Sequence, residues 1–190
     1  MKLFKQYILL EMSLILLLSA CKNQNNFSNN NKIKESSEQT SSIRKEDPLE
    51  NNEAVVWDEV TKNGVNEELL IKKIDEKTLT YIAHQLQDLC TEIIEKQKRD
   101  KYYPLEGHWY HDVMESKQYS NVISLGKKAM KPLFLIIYKS PYAGMYEWVC
   151  SKALTEISGF DFSKENNGSG WANSKEFLEM FIDRVIKQKK

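Results

Sequence analysis

The chain has 190 residues, enough for one domain of ordinary size, with 41% hydrophobic and 28% charged residues. Its 27 Lys and Arg balance 27 Asp and Glu, leaving a formal charge of zero. No electrostatic footprint for nucleic acid is present, and nucleic acid is excluded as a partner.

Lys2 and Lys5 precede an apolar run from Tyr7 to Leu18, the order of a secretory leader. Twelve helical residues reach about 18 Å, well short of the roughly 30 Å hydrocarbon core, so this run is not a permanent span. Glu11 within it argues further against a stable span, because an ionisable group is costly at the bilayer centre.

The run ends in Leu18-Ser19-Ala20-Cys21, which resembles the lipobox of a bacterial lipoprotein precursor. The resemblance implies that the Cys21 thiol carries a diacylglyceryl group and becomes the mature N-terminus once residues 1–20 are removed. Two acyl chains at about 0.8 kcal/mol per buried methylene make such an anchor effectively permanent. The lipid bilayer is then a partner, on the extracytoplasmic face of the cell membrane. Only Arg44, Arg99 and Arg184 are arginine among the basic residues, and asparagine is plentiful. That bias fits an AT-rich genome and, with the leader, resembles the lipoproteins of Gram-positive bacteria.

Between Lys22 and Asn52, eight of 31 residues are Asn and five are Ser, while Phe27, Ile33, Ile43 and Leu49 are the large apolar side chains. Too little surface can be buried to offset chain ordering, so residues 21–53 are expected to form a lipidated, disordered tether. As a flexible coil it spans about 30 Å on average and roughly 100 Å fully stretched.

Residues 54–190 are expected to form a single helical domain. From about Thr78 to Arg99, the residues Leu79, Ile82, Leu86, Leu89, Cys90, Ile93 and Ile94 fall on one face at helical spacing. Lys96, Lys98 and Arg99 crowd the last turn, where cations favour the helix dipole, and Pro104 and Gly107 break the pattern. Val122, Ile123 and Leu125 close a short helix that Gly126 can end in the left-handed conformation. Another begins at once, with Pro132 in or near its first turn and Leu133 to Tyr138 apolar almost all round. That run also suits a buried strand, which keeps an α+β fold as the alternative. Met145, Trp148, Val149, Ala153, Leu154 and Ile157 give a one-sided helix stopped by Gly159. Asn173 and Glu176 then have capping-box spacing before Phe177, Leu178, Phe181, Val185 and Ile186.

The run Ile123 to Leu133, with Gly126, Ala129 and Pro132, followed by Trp148 and Ala153 to Gly159, is similar to one HEAT-like helix pair. Trp171 and the terminal helix resemble the segment that often follows such a pair. The resemblance implies an all-α fold, a small helical bundle containing one HEAT-like pair. It implies no chemistry, because such pairs are packing units whose ligands are set by surface residues.

Candidate chemistry is sparse. His108, His111 and Asp112 lie within five residues and include metal-ligand types, but H-x-x-H lacks the i, i+4 pattern with its Glu seen in metallohydrolases. His84 is expected at the surface. Cys90 and Cys150 fall on apolar faces and suit buried thiols, with a disulfide permitted by export. Ser124 to Lys127 and Tyr119 to Asn121 match pieces of a penicillin-binding serine site in the wrong order and without K-T-G. Asp161 to Gly170 suggests a calcium loop, but Asn166 and Ala172 stand where Gly and Glu are needed.

Tyr102, Tyr103, Trp109, Tyr110, Tyr119 and Tyr142 near turns offer rings that stack on wall sugars or anchor a protein. The expectation is a lipid-anchored module with no cofactor and no catalysis, binding another envelope protein. The alternatives are a receptor for a small ligand, metal or glycan, and a wall-modifying enzyme.

Overall fold

The computed structural model describes residues 54–100, 102–103, 108–165, 168 and 170–189, with only the backbone of His108. The leader, Cys21 and the tether lie outside the described residues. In chain order the described elements are β1 (Val60–Thr61), β2 (Gly64–Val65), α1 (Glu67–Lys72), α2 (Glu76–Arg99), α3 (His108–Glu115), α4 (Lys117–Ile123), α5 (Lys127–Lys139), α6 (Met145–Ser158) and α7 (Ser174–Gln188). The class is all-α, a small helical bundle with one antiparallel ribbon that pairs Val60 with Val65. Leu133 to Tyr138 lie within α5, so the buried-strand alternative does not hold.

The longest helix, α2, starts at Asp75, whose side chain accepts the Thr78 N–H at 2.8 Å. Its Ile82, Leu86, Leu89 and Ile93 are at most 1% exposed. Each such side chain contributes about 1.5–3 kcal/mol when fully buried, so this face alone fixes α2 against the rest. It packs on α4, α5 and α6. His84 is exposed on its outer side.

Ser116 caps α4 by accepting the Tyr119 N–H at 3.0 Å. Gly126 then has φ 53° and ψ −136° and serves as the N-cap of α5. The sequence predicts positive φ there, although as the end of the preceding helix. Pro132 is the sixth residue of α5, just beyond its first turn. The Lys128 carbonyl therefore lacks the donor that any other residue would supply.

Five residues, Ser140 to Gly144, join α5 to α6, and the two pack as an αα-hairpin. Glu147 is 1% exposed and closes this turn, accepting the Ser140 hydroxyl at 2.7 Å and the Gly144 N–H at 2.8 Å. Gly159 ends α6 in the left-handed conformation, φ 67° and ψ 15°, as its position predicts. Asn173 caps α7, accepting the N–H groups of Lys175 and Glu176 at 3.0 and 3.1 Å. The Glu176 carboxylate reaches the Ala172 N–H at 2.6 Å, one residue earlier than a capping box requires.

Two features precede the first helix that periodicity predicts. Trp57 is 5% exposed and packs edge-on against Phe134 and Phe181, centroids 5.2 and 5.4 Å away. Glu59 is fully buried, with Lys131 Nζ at 2.9 Å from one carboxylate oxygen and Lys73 Nζ at 3.2 Å from the other. Lys73 also pairs with Asp58. That hydrogen bond holds the Asp58 carboxyl below its usual range and raises the Lys73 ammonium.

Candidate functional site

The aromatic residues converge at one end of α2. Its last turn holds α3 through Asp112, which accepts a hydrogen bond from Lys96 Nζ at 2.7 Å and another from the Tyr103 hydroxyl at 2.5 Å. Burial pushes the Tyr103 phenol well above its ordinary range, and the Asp112 carboxylate adds to the shift. The phenol thus stays a donor, and α3 is fixed in place with Trp109 and Tyr110 on it.

From α6 comes Trp148, one residue after the buried Glu147 that closes the α5–α6 turn. Trp171 comes from the segment leading into α7. The ring centroids of Trp109 and Trp148 are 4.9 Å apart, those of Tyr110 and Trp148 5.7 Å, and those of Trp148 and Trp171 5.9 Å. Trp171 rests edge-on against the buried Phe177 at 5.3 Å, which ties the row of rings to the core.

Three of the four tryptophans therefore form one continuous row. Each is only partly buried, and Tyr110 is 37% exposed. Rings packed edge-to-face hold one another without polar partners. Covering the area each leaves in water would gain about 1 kcal/mol per ring. Lys152 lies one helical turn beyond Trp148, partly buried, and His111 is exposed beside Tyr110 with centroids 5.7 Å apart. Apolar rings with a polar fringe suit contact recognition. Nearby, the Tyr119 hydroxyl donates to Glu156 at 3.0 Å. Burial, followed by that carboxylate, drives the Tyr119 phenol far above its ordinary range, so it too remains a donor and not an acid.

The residues singled out from the sequence have separate fates. Asp112 is engaged by Lys96 and Tyr103, His111 is exposed, and the His108 side chain lies outside the description. Among the described residues no group of three or more His, Cys, Asp or Glu is placed to hold a metal ion. Cys90 and Cys150 are both buried thiols filling core positions. Asp161, in the loop compared with a calcium site, accepts the Ser163 N–H at 2.8 Å in a local turn, and Phe162 beside it is buried.

Of the six rings expected near turns, Tyr103 and Tyr119 are buried, whereas Tyr102, Tyr110 and Tyr142 are exposed. Trp148 and Trp171 belong to the aromatic row, although their positions read as core and as helix lead-in. For Trp148 the signal was available. Val149, Cys150, Ala153 and Leu154 define the buried stripe of α6, which leaves Trp148 at its edge beside Lys152.

No family model, no curated protein and no solved structure matches this chain.

Proposed function

We propose that the chain is a lipoprotein anchored through diacylglyceryl-Cys21, whose helical domain binds another envelope protein by contact and performs no catalysis. The observation that carries the binding role is the row Trp109, Tyr110, Trp148 and Trp171, because interface hot spots are enriched in such rings and centre on them. The anchor rests on the leader and the L-S-A-C sequence. Among the described residues no helix is long and apolar enough to cross a membrane.

The test is a complementation scan in the native cell, with fatty-acid labelling and protein level recorded for every variant. Cys21→Ala should abolish the label. Alanine at Tyr110, Trp148 or Trp171 should remove function at normal protein level, while alanine at any single exposed His, Ser, Asp or Glu should leave most of it. Removing one catalytic group commonly lowers a rate by about a hundredfold or more. One polar residue whose loss abolishes function in a folded, labelled protein would therefore replace the binding reading with an enzymatic one.

A further inference from the structure

We propose that the partner offers the aromatic row an acidic segment with apolar side chains, whose carboxylate oxygens meet the Lys152 ammonium and the indole N–H groups of the row while its apolar groups cover the rings. This rests on the protein-contact reading of the row and names the chemistry of what it contacts.

The polar atoms of the row are almost all donors. An indole N–H donates and cannot accept, and it lies on the ring edge, where the aromatic quadrupole is positive. Among the described residues, the indole N–H groups of Trp109, Trp148 and Trp171 find no acceptor within the protein. None of the three is among the buried side-chain atoms that lack a hydrogen bond, so all three N–H groups open to water.

Lys152 adds the charge. It stands four residues after Trp148 on α6, and helical side chains lean toward the N-terminus, which carries its ammonium toward the row. Its stem is partly covered, and among the described residues the ammonium has no hydrogen bond or ion pair. The two carboxylates of α6 are turned elsewhere. Glu156, one helical turn further on, accepts the Tyr119 hydroxyl at 3.0 Å, and Glu147 is buried in the α5–α6 turn. Asp112, beneath the row, is held by Lys96 and Tyr103.

A ligand that fits must therefore supply acceptors and negative charge. Sugar hydroxyls donate as well as accept, and of Trp109, Tyr110, Trp148, Lys152 and Trp171 only Tyr110 has a side-chain oxygen to receive them. A basic segment would set its cations against Lys152. An acidic segment leaves neither side unmatched. Its carboxylates form charge-assisted hydrogen bonds with the ammonium and the N–H groups, and its apolar side chains remove the ring area from water.

The test screens a random dodecapeptide display library against the mature-length chain, residues 21–190, carrying Cys21→Ala so that no lipid is attached. Trp148→Ala and Tyr110→Ala serve as counter-screens, so that a folding defect in one does not decide the result. Peptides lost from both should be rich in Asp and Glu beside Phe, Leu or Trp, and their affinity should fall as salt rises. Lys152→Met should weaken them by about tenfold, and Lys152→Glu further. The melting temperature should stay unchanged in both, since the ammonium has no partner to lose. Trp148→Phe, which keeps a ring but not the N–H, should weaken them less than Trp148→Ala.

Row-dependent peptides that are neutral or basic, or acidic ones that bind Lys152→Glu as tightly as the unchanged sequence, would overturn this proposal and leave the contact reading standing. A folded protein that yields no row-dependent peptide would strike the contact reading and this proposal with it. So would row-dependent binding of N-acetylglucosamine oligomers in place of peptides.

Discussion

A carboxylate removed from water costs several kcal/mol unless it is paired, and Glu59 has no solvent exposure at all. Lys131 and Lys73 supply its partners from two separate elements, which makes the three residues one unit. Glu59→Ala leaves Lys131, partly buried with 14% side-chain exposure, without its counter-charge. It should cost about 3–5 kcal/mol. Glu59→Met combined with Lys131→Met should recover most of that loss, because two apolar groups need no mutual compensation. Urea denaturation of the three proteins checks both statements. A single substitution that costs less than about 1 kcal/mol would show that the ion pair does not organise this end. Nothing in local sequence marks Glu59, since its partners lie 14 and 72 residues away. By contrast, Cys90 and Cys150 were legible as buried thiols because each falls on an apolar stripe.

Helix ends set by a single residue were the most readable elements. Gly159 and Asn173 act where their chemistry places them, one ending α6 and the other starting α7. Gly126 marks a limit, because its sequence context points to positive φ but not to its role as the cap of the following helix. It turns the chain directly from α4 into α5, at φ 53° and ψ −136°, a region that side chains with a Cβ rarely adopt. A Cβ there would meet nothing within 4 Å, so the cost of Gly126→Ala is conformational and not steric. About 1–3 kcal/mol is expected from a denaturation midpoint, and a neutral outcome would mean that this turn relaxes freely. The ribbon β1–β2 and helix α1 escaped the sequence reading for a physical reason. Two-residue strands and a six-residue helix are shorter than the window over which a hydrophobic period can be recognised.

At the scale of the whole molecule, fold class was legible and the candidate surface was only half so. Periodicity predicts five of the seven described helices at least in outline, since each buries a stripe of its own. The aromatic row depends on three segments meeting, Trp109 and Tyr110 from α3, Trp148 from α6 and Trp171 before α7, and no local pattern reports that convergence. The row is tied to the last turn of α2 through Asp112 of α3, which accepts a hydrogen bond from Lys96 at 2.7 Å.

The central claim is that the ring-bearing end contacts a protein while the chain stays anchored. Its most direct test is photo-cross-linking in living cells from a benzophenone side chain at position 110, with the same probe at position 128 as the internal comparison. The account predicts one discrete protein adduct from position 110, lost when Trp148→Ala is added at equal protein level, and no such adduct from position 128. An adduct of the same size from both positions, or one from position 110 that survives Trp148→Ala, would contradict it.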